Sequence, residues 1–246
     1  MPNRRIRVFA GPNGSGKSSL FSEFSKVYST GSFINADEIE NKLTTKGLID
    51  LDEFNVVASQ DDLTLFSNLP SSISLIAKAQ QENHPITINI SNNCIVDHSQ
   101  NSHSYEASYT ASFIRHLLIE QGKSFSFETV MSHDSKIKEI RDLLELGYQP
   151  YLYFVCIDDP EVNISRVENR VEKGGHPVSR EKIVERYSRT LTLLHQMLPL
   201  CYRAYLFDNS GKELIMIAEL YKNEMQLLTD NPPQWFINYV LPYYTT

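Results

Sequence analysis

Cysteine is scarce in this chain: Cys94, Cys156 and Cys201 are the only three, and they lie far apart. With neither a Cys-x-x-Cys pair nor an even set, the sequence offers no zinc-type spacing and no disulfide framework. Long apolar runs are missing too. Nothing approaches the ~20 apolar residues of a membrane helix, and Met1-Pro2-Asn3-Arg4-Arg5 leads straight into a strand pattern without a signal peptide's apolar region. A cytoplasmic location, with no membrane contact, is therefore expected. Positive charge is in deficit, with 23 Lys and Arg against 30 Asp and Glu, a net of −7. Nucleic-acid-binding domains normally carry a basic surface that displaces counterions from phosphates, so no nucleic-acid partner is expected, and an anionic small ligand needs local positive charge instead. What remains, 41% hydrophobic and 22% charged over 246 residues, is the composition of an ordinary globular protein.

Residues 6–10 form a short apolar run, interrupted by Arg7, that stops at Gly11 and reads as a buried first strand. Gly11-Pro12-Asn13-Gly14-Ser15-Gly16-Lys17-Ser18 follows at once. Beyond it Leu20, Phe21, Phe24, Val27 and Tyr28 recur at helical spacing, so the glycine-rich segment joins a strand to a helix, the context a phosphate-binding loop requires. Glycines open backbone angles closed to other residues, letting successive N–H groups surround phosphate oxygens at the helix's positive end. Gly11, Asn13, Gly14, Ser15, Gly16, Lys17, Ser18 and Ser19 are thus predicted to hold ATP or GTP. Lys17 meets the β and γ phosphates, and the Ser18 hydroxyl is the predicted Mg²⁺ ligand.

Further strands are expected at residues 32–35, 125–127, 151–157 and 204–207. Helical stripes alternate with them: Ala107, Ala111, Ile114 and Leu118 before Gly122, then Ile137, Ile140 and Leu144 before Gly147, each glycine at a helix C-terminus. The alternation predicts an α/β fold with a doubly wound, mostly parallel sheet and helices on both faces. Ligands bind such sheets at the carboxyl ends of the strands. Asp37 and Glu128 each follow a strand there. A carboxylate near the γ-phosphate serves as base toward an attacking hydroxyl, although Asp37 is also placed to cap the helix through Ile39 and Leu43. Asp158 and Asp159, before Pro160, read as N-caps.

The helix from Pro160 is expected to bury Ile164, Val167 and Val171 and to show Arg166, Arg170 and Lys173 on another face; the helix after Ser179 buries Ile183, Tyr187, Leu191 and Leu194 and shows Lys182, Arg186 and Arg189. Gly174-Gly175-His176-Pro177 between them is a turn. Two readings stay open: a cationic lid over phosphates, or solvated faces whose arginines pair with Glu168, Glu172, Glu181 and Glu185.

Taken together, the loop at 11–18, Asn35-Ala36-Asp37, Phe127-Glu128-Thr129, Glu172-Lys173-Gly174-Gly175-His176, Arg186-Tyr187 and Asp208-Asn209-Ser210 resemble, in order and spacing, the zeta-toxin family of P-loop kinases. The resemblance covers residues 4–40 and 107–212. It implies phosphoryl transfer to a hydroxyl of a small molecule, UDP-N-acetylglucosamine or a related nucleotide sugar in the toxin members, and an antitoxin protein as partner. It makes Asp37 the catalytic base, Lys17 the phosphate lysine, Glu128 and Thr129 the acceptor-holding pair, Arg170 the first lid arginine and Arg186 or Arg180 the second. The whole of 1–246 is then one kinase domain with an insertion at about 41–104 and a C-terminal extension at about 222–246.

Inside the insertion, Phe54 and Val57 predict a helix, Ile73, Ile76 and Ala77 another, and residues 86–90 and 94–96 strands around Asn92-Asn93. Asp97, His98 and His103 lack tight ligand spacing and read as a polar loop. Trp235, Phe236, Tyr239, Tyr243 and Tyr244 near the C-terminus either pack on the domain or form a contact surface. Two GTPase-like strings, Asn41-Lys42-Leu43-Thr44 and Asp208-Asn209-Ser210-Gly211, sit at the wrong distances from the loop, and residues 151–159 only loosely match a motor ATPase's acidic strand. A binding module without transfer, or a bare NTPase, remains the alternative to a kinase.

Overall fold

A computed structural model describes residues 4–99, 103–173 and 178–244. The turn expected at Gly174-Gly175-His176-Pro177 lies outside the described residues. In chain order the elements are β1 (Arg4–Ala10), α1 (Lys17–Val27), β2 (Ser32–Ile34), α2 (Ala36–Lys46), β3 (Leu48–Asp50), α3 (Gln60–Ser67), α4 (Pro70–Gln81), β4 (Ile88–Ser91), β5 (Cys94–Asp97), α5 (Ser104–Glu120), β6 (Phe125–Thr129), α6 (Ser135–Glu145), β7 (Tyr148–Cys156), α7 (Pro160–Glu172), α8 (Arg180–Met197), β8 (Arg203–Asp208), β9 (Ile215–Tyr221), β10 (Glu224–Leu227) and α9 (Gln234–Tyr239). Two compact units result, one from residues 1–30 and 126–246, the other from 31–125.

In the first unit the strands run in the order β10-β9-β8-β7-β1-β6. β1 pairs parallel with β7, and β7 parallel with β8. β9 and β10 continue antiparallel from β8, with a bulge between Leu206 and Phe207. A parallel strand covered on both faces must be apolar almost throughout, and Ile6, Val8, Phe9, Leu152, Phe154, Val155 and Leu206 are accordingly buried. Phe9 stacks on Tyr153 at 4.8 Å and meets Phe21 of α1 edge-on at 5.1 Å, fastening the helix behind the phosphate loop to the sheet. The fold is thus α/β with a mostly parallel central sheet, as the strand–helix alternation predicts.

The stripes of α7 and α8 pack on each other through Ile164, Val167 and Ile183. Val171, expected inside, is 37% exposed, because it falls in the last turn of α7, beyond the packed part. In α6 the buried leucine is Leu143 rather than Leu144, which is 38% exposed; adjacent leucines leave the phase of a short helix ambiguous. Asp159 caps α7 by accepting Glu161 N–H, whereas Asp158 accepts the N–H groups of Gln234 and Trp235 at 3.1 and 2.8 Å and so starts α9. Trp235 packs on Phe154 and donates Nε1–H to Asp208 at 3.0 Å. The C-terminal aromatics Trp235 and Phe236 are therefore core, and Tyr243 stacks on His195 at 4.2 Å.

The second unit holds a three-stranded antiparallel sheet, β3-β5-β4. Ile39 and Leu43 of α2 and Ile114 and Leu118 of α5 are buried in its core. Phe66 of α3 meets Tyr109 and Phe113 of α5, each at 5.2 Å. α3 opens with a capping box between Ser59 and Asp62. Leu51 to Phe54 form a 3₁₀ turn that ends at Asn55 with φ +57°, so the helix expected through Phe54 and Val57 stops short and Val57 is exposed. The Asn41-Lys42-Leu43-Thr44 string lies inside α2, and Lys42 pairs there with Glu53. Asp97 Oδ2 meets His103 Nδ1 at 2.6 Å and His98 meets Asn89, and among the described residues no cluster suits a metal ion.

Candidate active site

The loop between β1 and α1 is built from close approaches. A Cβ at Gly14 would lie 2.5 Å from the Asn163 carbonyl oxygen, and one at Gly16 2.5 Å from Asn209 Nδ2; both residues have positive φ, +74° and +108°. Only glycine satisfies both demands. Gly16 is the N-cap of α1 and contributes no side chain, which leaves the helix's first N–H groups for an anion.

Lys17 is 6% exposed. Its Nζ donates to Pro12 O at 2.9 Å and lies 3.7 Å from Glu128 Oε1. Ser18 Oγ donates to the other carboxylate oxygen, Glu128 Oε2, at 2.8 Å. Glu128 at the end of β6 therefore reaches the loop's own lysine and serine, a place the sequence reading did not give it. Thr129 Oγ1 accepts Met131 N–H at 3.1 Å, holding a turn in which Met131 has φ +58°. Asn13 Oδ1 and Ser15 Oγ are buried without a hydrogen-bond partner among the described residues. Orphaned polar atoms of this kind are rare in folded proteins, and here two of them sit in one loop. Ser19 is exposed at the start of α1.

Asp37 stands in the first turn of α2 in the other unit, where its N–H donates to Asn35 Oδ1 at 2.9 Å. Asn35 is the cap; Asp37 is not. Beside it in sequence, Asn35, Glu38, Lys42 and Glu53 line a cleft of about 130 Å³ together with Phe33 and Phe54.

The basic stripes divide. Arg180 pairs with Glu161 and Arg189 with Glu185, each at 2.5 Å in exposed positions. Arg170 is exposed in the last turn of α7, and Arg186 is half-buried on α8. Arg166 turns inward and donates to Asn209 O at 3.2 Å. Tyr187 donates its hydroxyl to the Ile157 and Asp158 carbonyls at 2.8 and 2.9 Å, and burial pushes its phenol well above the usual range. Thr190 bonds Val130 O at 2.8 Å. These bonds moor α8 to the ends of β7 and β6. Burial likewise raises the Cys156 thiol behind the loop and holds Cys201 at about 12, so both remain protonated and inert.

Sequence reasoning missed two residues, Asn163 and Asn209. Asn163 Nδ2 donates to Asn13 O at 2.6 Å and Asn209 Nδ2 to Ser15 O at 2.7 Å. The available signal was an asparagine on the buried face of α7, beside Ile164, and the middle residue of Asp208-Asn209-Ser210.

The zeta-toxin family model matches residues 68–212. The chain belongs to the zeta-toxin family. The match includes Glu128, Thr129 and the arginines of α7 and α8, begins at residue 68, inside the segment expected as an insertion, and leaves out the phosphate loop, whose assignment rests on its own pattern and geometry. An uncharacterized protein of Haemophilus influenzae is 31% identical over 72 residues, 29% of this chain and 51% of that protein. Among solved structures, the AvrRxo1-ORF1:AvrRxo1-ORF2 structure with sulphate ions is similar at a TM-score of 0.55 and 15% identity, over 92% of this chain and 61% of that one. The AvrRxo1-ORF1:-ORF2 structure with ATP gives 0.55 and 14%, over 92% and 60%. This zeta-toxin-family chain thus shares their fold while spanning about three fifths of those chains and half of the curated relative. No helix among the described residues is long and apolar enough to cross a membrane.

Proposed function

We propose that the chain is an ATP-dependent phosphotransferase acting on a hydroxyl of a small molecule, with nucleotide sugars such as UDP-N-acetylglucosamine as the first acceptors to test. The observation that carries this reading is the convergence of Lys17 and Ser18 on the Glu128 carboxylate at the mouth of the phosphate loop. When a triphosphate enters, Lys17 exchanges Pro12 O and Glu128 for phosphate oxygens. The Ser18 hydroxyl and Glu128 carboxylate are adjacent hard oxygen donors, which suit Mg²⁺, and the metal would supply charge neutralisation between the phosphates.

Asp37 is the proposed base. Its support is chemical: a positioned carboxylate drawing the proton from an attacking hydroxyl is what phosphoryl transfer needs, and Asp37 stands in the first turn of α2 behind the N-cap Asn35. The cleft of Asn35, Glu38, Lys42 and Glu53 offers donors and acceptors over two phenyl rings, a lining suited to a hydroxylated ring. Arg170 and Arg186 are the proposed charge-neutralising arginines; Arg180 is engaged with Glu161. An antitoxin partner belongs to the same proposal, since the AvrRxo1 structures of similar fold contain two different proteins.

The test is incubation with ATP, GTP and a panel of nucleotide sugars, read by mass for the gain of one phosphate. A phosphorylated sugar supports the kinase. Tight ATP binding with no product from any acceptor favours a binding module, and ADP release without acceptor favours an NTPase.

A further inference from the structure

A phosphate loop works only if its N–H groups face the ligand. In a planar trans peptide the C=O of one residue and the N–H of the next point in opposite directions. Whatever fixes a loop carbonyl outward therefore aims the following N–H inward. Asn163 Nδ2 holds the Asn13 carbonyl at 2.6 Å, which orients Gly14 N–H, and Asn209 Nδ2 holds the Ser15 carbonyl at 2.7 Å, which orients Gly16 N–H. The two glycines are also the positions where an added Cβ would strike Asn163 and Asn209.

Asn163 is held by burial and Asn209 by hydrogen bonds. Asn163 is fully buried on α7. Asn209 donates its own N–H to Cys156 O at 2.8 Å and accepts Arg166 Nη2 on its carbonyl at 3.2 Å. Arg166 lies one turn beyond Asn163 on the same helix. A single helix thus reaches the loop twice, directly at residue 13 and through Asn209 at residue 15.

We infer that Asn163 and Asn209 are positioning residues that preset the Gly14 and Gly16 amides for phosphate, and that Arg166 acts through Asn209. The role rests on the reading of residues 11–18 as a nucleotide site. Preset donors need no reorganisation when the anion arrives, and that saving appears as affinity.

Calorimetric titration of the full chain with ATP and with inorganic tripolyphosphate, both with Mg²⁺, tests it, alongside the melting temperature of the nucleotide-free protein. Asn209→Ala is expected to raise the Kd of both ligands by the same factor, about tenfold, the scale of one lost hydrogen bond that orients a charged contact. Arg166→Met is expected to raise both by about threefold, and the double variant to be no worse than Asn209→Ala alone, because the arginine works through the asparagine. A melting temperature that falls while both Kd values stay at the wild-type level overturns the inference and leaves Asn209 as packing. Additive losses overturn the role given to Arg166. If Asn209→Ala does not fold, Asn209→Ser is read by the same criteria. Wild-type protein that binds neither ligand overturns the nucleotide reading itself, a result distinct from variants that bind as well as wild type.

Discussion

Ser18 Oγ and Lys17 Nζ share one carboxylate: Glu128 accepts the serine hydroxyl at 2.8 Å and stands 3.7 Å from the lysine. A lysine only 6% exposed needs compensation for its charge; Glu128 stands beside it, and in the proposed site a triphosphate would take that place. Lys17→Ala removes the ammonium from that exchange. ATP affinity measured by calorimetry is expected to fall by about 10- to 100-fold, the scale of a charged hydrogen bond, and transfer to be undetectable by mass. An ATP Kd equal to wild type would remove Lys17 from the site.

The proposed base makes a different mark. Asp37→Asn keeps the size of the side chain and removes its proton affinity. Turnover with the identified acceptor is expected to drop by about 10² to 10⁴, with the ATP Kd within twofold of wild type. Unchanged turnover would move the base assignment to Glu128.

The loop between β1 and α1 was legible because its pattern is local. Eight consecutive residues specify the loop, and Asp159-Pro160 specifies the start of α7 in the same short-range way. Asp158 reads as a second cap in sequence, yet its partners Gln234 and Trp235 lie more than seventy residues away, and no local pattern announces such a bond. The same holds for Asn163 and Asn209, which reach loop carbonyls at separations of 150 and 194 residues. β3 has three residues, too few to show an alternation, and β9 and β10 are joined by a turn at Lys222 and Asn223 with positive φ at both, a conformation that asparagine favours but lysine does not advertise.

Asp158 also yields a stability prediction. Its carboxylate serves two N–H groups that begin α9, so Asp158→Ala leaves both without their acceptor. A loss of about 1–2 kcal/mol is expected, the scale of a helix cap, seen as a melting temperature lower by about 2–8 °C. A shift below 1 °C would show that Trp235 holds the helix by packing alone.

In the second unit, Glu106 is 1% exposed with Oε2 lacking a hydrogen bond, and burial raises its carboxyl above the usual range, with Asp97 adding to the rise. The folded state therefore keeps this proton at pH values where the unfolded chain has released it. Its contribution is fully present below about pH 4, the ordinary range of glutamate, and is lost as the pH climbs through the raised folded value. Glu106→Gln cannot ionise. Melting curves are expected to place the variant a few degrees above wild type at pH 8 and level with it near pH 4; a gap that widens toward acid would contradict the direction of the shift.

The division of the chain into residues 1–30 with 126–246 and residues 31–125 has a meaning in time. The second unit is one unbroken stretch and is complete once residue 125 has left the ribosome. The first is not: β1, with Ile6 and Phe9, is made more than two hundred residues ahead of Trp235, which packs on β1's neighbour β7. At synthesis rates of roughly 5–20 residues per second, β1 waits on the order of 10–40 s for its last contacts. For the first part of that interval the phosphate loop is already made while Asn163 and Asn209 are not, so a growing chain carries the loop's sequence motif well before the side chains that hold its carbonyls.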